Sequence, residues 1–148
     1  MGMDIEDQIR TYGCTSDEWA RKLPLRIEND QESLWGILAK AKNYRFEGTE
    51  RMDFIRLCLR SMLDAGAVPV EPTGWAWPPF RPVTRFGTQQ DEIVNNVIAE
   101  WQARGGGDLD WGQYAFTFPE NFEIEDDAEW RRVNEARLRR LFPERDFD

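Results

Sequence analysis

The chain has 148 residues, of which 41% are hydrophobic and 13% aromatic, so it carries the apolar content that a disordered chain lacks. Its 28 acidic and 19 basic residues give a formal net charge of −9, which disfavours nucleic acid and anionic membranes as partners and favours a basic protein. We therefore expect residues 1–148 to form a single folded domain that binds neither nucleic acid nor membrane.

Catalytic and metal-binding chemistry is constrained by the absence of histidine, which removes the commonest general base and the commonest zinc ligand. Ser-His-Asp and Cys-His catalysis are excluded, and Cys14 and Cys58 form neither a CxxC pair nor a disulfide framework. There is no P-loop and no GxSxG elbow. We expect no catalytic residues, metal or cofactor, while the many carboxylates leave a small Mg²⁺-dependent enzyme open as an alternative.

Targeting signals are not evident in the sequence. The longest apolar stretches are far shorter than the roughly 20 residues that cross a bilayer, and the acidic start of the chain lacks the apolar core of a secretory signal. We expect a cytoplasmic protein.

The first elements in chain order are helical. Residues 1–44 read as helical pieces, one entered at Ser16 and one entered at Asn29 or Asp30. The clearest helix covers 49–65, with Thr49 as its cap and Gly66 as its left-handed stop.

The middle of the chain alternates between extended and helical patterns. Residues 67–70 predict a short extended segment, and Pro69 indicates an edge or an irregular piece. The proline-rich stretch 72–87 predicts a loop. Thr88, with Asp91 three residues on, predicts the start of a further helix. The inner stripe of that helix is Ile93, Val94, Val97, Ile98 and Trp101, and three glycines at 105–107 end it.

The C-terminal third predicts a strand and a last helix. Residues 113–118 alternate, with Tyr114, Phe116 and Phe118 on one face. Residues 126–142 predict a helix in which Glu135 and Arg139 form a favourable pair four residues apart. The fold class is thus α+β: a predominantly helical domain with a small antiparallel sheet.

Three segments are candidates for binding a partner, each with a structural alternative. The acidic segment 120–129 could dock basic side chains, or could be a solvated linker and the acidic first turn of the last helix. The loop 74–80 could be a rigid aromatic anchor, or could cover the core. The turn 108–112 offers two acids beside an indole, or is a structural turn. The residues predicted to bind are Asp108, Asp110, Trp111, Glu120, Glu123, Glu125, Asp126, Asp127, Trp75 and Trp77.

Residues 53–121 also resemble a known family. The likeness follows DFIRL at 53–57, LDAGAVPV at 63–70, GTQQDE at 87–92 and then Asp110-Trp111. This order resembles the DUF596 family, which includes immunity proteins of contact-dependent growth inhibition systems. The resemblance implies a protein that binds the toxin domain of an attacking cell's effector by occlusion, and it transfers no catalytic residue.

The leading hypothesis is therefore an immunity protein that neutralises a cognate bacterial toxin domain, favoured as a basic nuclease because the chain is acidic. The alternatives are an acidic inhibitor that mimics the charge of nucleic acid, the carboxylate enzyme, and a housekeeping adaptor subunit. No pattern in the sequence specifies an oligomeric state.

Overall fold

The computed structural model describes residues 2–27, 30–73, 80–109 and 113–123, and seven positions of the C-terminal segment: 128, 132, 135, 136, 139, 140 and 143. The elements in the described residues are α1 (Ile5–Tyr12), α2 (Ser16–Arg21), α3 (Leu23–Arg26), β1 (Glu32–Ser33), α4 (Leu34–Asn43), α5 (Gly48–Asp64), β2 (Val68–Pro72), β3 (Phe80–Pro82), α6 (Gln90–Ala103), β4 (Ala115–Thr117) and α7 (Glu120–Glu123).

The α+β class predicted from the sequence is confirmed, because helices predominate and the strands form one small antiparallel sheet. The strand order is β1-β4-β2-β3, and each neighbouring pair is antiparallel. The sheet is thus assembled from strands that lie far apart in the chain.

Helix α5 is the centre of the helical layer and packs against α2, α3, α4 and α6. It buries Phe54, Ile55, Cys58, Leu59 and Met62, as its apolar periodicity predicts. The predicted stop is confirmed: Gly66 has a φ of 100°, and the amide of Ala67 reaches back to the carbonyl of Met62 at 3.0 Å. This closure satisfies a terminal carbonyl and directs the chain into β2.

The sheet is covered on both faces. Phe116 joins the large core beneath the helices, whereas Val70, Phe80 and Ala115 form a second small core on the other face, against Phe122 of α7. All three residues of β4 are buried as a result. Double coverage explains why the strand carries apolar residues at successive positions.

The prediction that Pro69 marks an edge is wrong, because β2 lies between β4 and β3. The carbonyl of Pro69 accepts from the amide of Val83 at 2.9 Å, so the polar groups of Pro69 face the β3 side. The position of its missing N–H therefore also lies on the β3 side, beyond the β2–β3 pairing that begins at Val70. The pairing of β2 with β4 loses no donor.

Several predicted helix starts are shifted by one to four residues. Helix α2 is capped by Thr15 instead of Ser16, in a reciprocal box with Glu18. Helix α4 begins after Ser33, so Asp30 is not its cap, and Asn29 lies outside the described residues. Thr49 is already inside α5.

The predicted cap of α6 is also wrong. Gln89 is the N-cap residue of this helix and its side chain makes no capping bond. The amide of Thr88 is instead bound by the carboxylate of Glu92 at 2.9 Å, so a side chain from inside the helix caps the preceding turn. The predicted inner stripe of α6 is confirmed as buried, and Gly105 and Gly106 end the helix at positive φ.

Two predicted segments are shorter or more structured than expected. The strand predicted over 113–118 covers only Ala115–Thr117, because Tyr114 adopts a left-handed φ of 55°. The predicted loop 72–87 includes strand β3. In the C-terminal segment the described positions 128, 132, 135, 136, 139 and 140 are helical, and the predicted pair is confirmed with Glu135 and Arg139 at 2.8 Å.

Candidate functional site

A groove of about 520 Å³ runs along one face of α4. Helix α4 supplies its side chains at a three- and four-residue spacing, which places them on one helical face. The opposite wall comes from the start of α5 and from the loop that follows α6. The residues lining the groove are Trp35, Leu38, Ala39, Lys42, Phe46, Glu47, Arg51, Asp108 and Leu109.

Trp35 is the large apolar residue of this groove that faces solvent, with 44% of its surface exposed. It precedes Ile37 and Leu38 on α4, which are buried, and lies outside their arc. Among the described residues the other large exposed hydrophobics, Ile5, Ile9 and Tyr12, all lie on α1. An exposed tryptophan beside a concave apolar surface is typical of a protein-binding hot spot.

The floor of the groove is held by an aromatic cluster. The ring of Phe46 stacks on that of Tyr44 with centroids 5.7 Å apart and packs against Phe54 at 5.5 Å. Tyr44 is fully buried and its hydroxyl donates to the carbonyl of Cys14 at 3.3 Å. The groove therefore exists before a partner arrives, which lowers the entropy cost of binding.

The rim of the groove carries both signs of charge: Lys42 and Arg51 are basic, Glu47 and Asp108 acidic. Arg51 also lies over the ring of Trp101 at 5.3 Å from its centroid. A second cavity of about 330 Å³ shares Arg51 with the groove as a lining residue. Its lining residues are Gly48, Arg51, Met52, Trp101, Gln102, Gly105 and Gly106.

The glycine-rich end of α6 positions Asp108 at the rim. Gly105 and Gly106 take φ values of 107° and 63°, which side-chain-bearing residues rarely adopt. The indole nitrogen of Trp101 then donates to the carbonyl of Gly107 at 2.9 Å. This bond ties the loop to the buried face of the helix, so Asp108 and Leu109 project beside α4.

The residues predicted to bind a partner have different outcomes. Asp108 is exposed on the rim of the groove. Glu120 is only partly exposed and one of its carboxylate oxygens is buried, while Glu123 is the last residue of α7. The others lie outside the described residues: Trp75, Trp77, Asp110, Trp111, Glu125, Asp126 and Asp127.

Sequence reasoning missed Trp35 and Phe46. The available signal was positional: Trp35 is an aromatic residue next to the apolar arc of α4 and not within it. Phe46 gave no such signal, because its place on the floor depends on the packing of the turn between α4 and α5.

A cleft of about 340 Å³ with a mixed polar and apolar lining lies on another side, between the sheet and α6. Arg85 donates to both carboxylate oxygens of Glu100, at 3.2 and 3.0 Å, which lowers the pKa of Glu100. Burial, followed by the nearby Glu100 carboxylate, raises the pKa of Tyr114. The Tyr114 hydroxyl nevertheless meets no group at hydrogen-bonding geometry.

Both cysteines are free thiols. Burial raises the pKa of Cys58, so it stays protonated and behaves as a small apolar residue. Within the described part of the chain no three side chains of His, Cys, Asp or Glu come together as a metal site. No described helix is long and apolar enough to span a bilayer.

Comparison with known proteins adds no relative: no family model, no curated protein and no solved structure matches the chain. The groove and its chemistry therefore carry the functional argument.

Proposed function

We propose that the protein is a cytoplasmic immunity protein that binds and neutralises a cognate bacterial toxin domain, a basic nuclease, by occlusion. The observation that carries the proposal is the groove of α4, where Trp35, 44% exposed, lies beside a preformed apolar floor. Such a site suits one apolar side chain of a partner protein, with hydrogen bonds to charged groups around it.

The charge of the whole chain supports a basic partner. A net charge of −9 attracts a cationic protein over a distance of about one Debye length and raises the rate of association. A nuclease is cationic because it must bind phosphates. The mixed rim charges then set the register of the complex, since Asp108 and Glu47 can pair with basic groups that Lys42 and Arg51 would repel.

The test is co-purification with the product of the adjacent reading frame, followed by a measurement of affinity and of protection against its toxicity. We expect Trp35→Ala to weaken the complex by about tenfold or more, because it removes the central anchor. Ile5→Ala, which shortens an exposed apolar residue on α1, is the matched control and should leave affinity unchanged.

A second pair of variants separates local contact from long-range attraction. Asp108→Asn and Asp17→Asn change the net charge equally, but only Asp108 lies on the groove. Asp108→Asn should speed dissociation, whereas both should slow association slightly and reduce its dependence on salt. The immunity proposal would be overturned if the product of the adjacent reading frame neither binds the protein nor harms cells. If the two variants change the dissociation rate equally, the groove is not part of the interface.

A further inference from the structure

Helix α1 presents an apolar stripe to solvent. Ile5, Ile9 and Tyr12 are 64%, 49% and 38% exposed, and their spacing of four and three residues places them on one face. Three large apolar side chains side by side on one short helix form a contiguous patch, unlike the scattered exposed residues of an ordinary surface.

The stripe is held rigidly in this orientation. Next to the stripe, about 60° around the helix from Ile5, Gln8 is buried; its side chain donates to the carbonyl of Met3 at 2.9 Å and accepts from the amide of Ser16 at 2.8 Å. The hydroxyl of Tyr12 donates to the carbonyl of Asn43 at 3.1 Å. These bonds favour the rotation of the helix that leaves Ile5 and Ile9 exposed.

The charges beside the stripe are self-complementary. At 100° per residue, Glu6 and Arg10 lie on the same flank of Ile5 and Ile9, and both are exposed. They are about 6 Å apart along the helix axis. Suppose that two α1 helices pack antiparallel and are related by a two-fold axis near residue 8. The flank that carries Glu6 and Arg10 then lies against the same flank of the second helix, so Glu6 of one helix faces Arg10 of the other.

The same register fits the apolar residues. With the axis near residue 8, Ile5 of one copy falls between Ile9 and Tyr12 of the other, so the side chains interdigitate. Arg10 also contacts Asp7 of its own helix at 3.1 Å and keeps most of its surface exposed. It can therefore bind Asp7 of its own copy and Glu6 of the other copy at the same time. We infer that a second copy of this chain covers the stripe, in a two-fold symmetric antiparallel contact between α1 helices.

The experiment measures self-association of the full chain by sedimentation velocity over a wide concentration range. The contact is small and each copy carries a charge of −9, so we expect weak, concentration-dependent dimers. Ile9→Lys should weaken dimerisation by about tenfold or more. Trp35→Lys, a matched change at the exposed residue of α4, should leave it unaltered.

Charge exchange tests the register. Glu6→Arg and Arg10→Glu should each weaken the dimer, because each places like charges opposite one another, and the double variant should restore it. In a Cys14→Ser background, Ile9→Cys lies next to the axis and should form an intermolecular disulfide under mild oxidation, whereas Trp35→Cys should not.

Three results would overturn the inference: a monomer at every concentration, a dimer that Ile9→Lys leaves intact, or double-charge variants no tighter than the single ones. If the chain stays monomeric but Ile9→Lys abolishes binding of the toxin domain, the stripe belongs to that interface instead. Because Trp35 and Ile9 lie on different helices, failure of this inference leaves the proposed function untouched.

Discussion

At the residue scale, two buried tyrosines differ in whether their hydroxyls are satisfied. Tyr44 donates to the carbonyl of Cys14 at 3.3 Å, whereas the hydroxyl of Tyr114 makes no hydrogen bond of standard geometry. We expect Tyr44→Phe to lower the free energy of unfolding by about 1 kcal/mol and Tyr114→Phe to leave it unchanged or raise it slightly. Denaturant unfolding of the two variants checks the contrast, and an equal loss in both would contradict it.

The titration of Glu32 should change the free energy of unfolding. Burial raises the pKa of Glu32, although its carboxylate accepts from the amide of Ser33 at 3.2 Å and Arg26 lies nearby. A raised pKa in the folded state means that protonated Glu32 favours folding, and that this contribution is lost as the pH rises through the folded pKa.

Glu32→Gln should therefore raise the free energy of unfolding at neutral pH by at most about 1 kcal/mol, since the group is partly exposed. The gain should shrink as the pH falls below the pKa of Glu32. Unfolding in urea at neutral and acid pH measures both effects, with Glu47→Gln as an exposed control. A variant less stable than the parent protein at neutral pH would show that the charged form is the favoured one.

At the element scale, the start of α2 carries a reciprocal capping box. Thr15 accepts from the amide of Glu18 at 3.2 Å, and Glu18 returns a bond to the amide of Thr15 at 3.1 Å. The amide of Thr15, and after it the Thr15 hydroxyl, donates to the Glu18 carboxylate and lowers its pKa. The stability that these two bonds add is present above the ordinary pKa of Glu18 and is lost as the pH falls through the lowered value.

Thr15→Ala should lower the free energy of unfolding by about 1 kcal/mol at neutral pH. Thr49→Ala is the matched control: the sequence makes Thr49 an equally good cap, but the structure places it within α5. Its replacement should change stability by only a few tenths of a kcal/mol. Thermal unfolding of both variants distinguishes them. Equal losses of stability would show that Thr49 does cap α5.

The same comparison shows what the sequence could predict at this scale. The apolar stripes of α5 and α6 set their existence and their buried faces, because burial of a periodic face dominates helix stability. The N-cap residues of several helices were predicted at the wrong positions, because more than one polar residue within two positions of each helix start could serve as the cap. The inner place of Pro69 could not be foreseen, because it depends on which strand lies on each side of it, and that is decided by long-range packing.

At the scale of the whole molecule, the candidate site illustrates the same limit. A local pattern of two acids beside an indole predicts Asp108 as a binding residue. The structure places Asp108 on the rim of the groove, and its role in binding stays a prediction. Trp35 was missed because its exposure results from how α4 packs on α5 and on the loop after α6. A surface assembled from three distant segments leaves no contiguous signature in the sequence.

Net charge is the other property of the whole molecule, and it predicts how stability responds to salt. Most ion pairs of the described residues lie at the surface, where each contributes little, and the Arg85–Glu100 pair is partly exposed. A charge of −9 on a chain of this size repels itself in the folded state more than in the expanded chain. Salt should therefore stabilise the fold.

Raising the ionic strength from about 0.01 M to about 0.15 M with sodium chloride shortens the Debye length from about 30 to about 8 Å, which screens this repulsion. The free energy of unfolding should rise accordingly. Asp53→Lys combined with Asp108→Lys should flatten the dependence, since both acids are exposed and each substitution reverses a charge. The matched Glu substitutions, which keep the charge, should preserve the slope of the parent protein. A free energy of unfolding that falls on adding salt would mean that local ion pairs, and not net repulsion, govern the electrostatics of this fold.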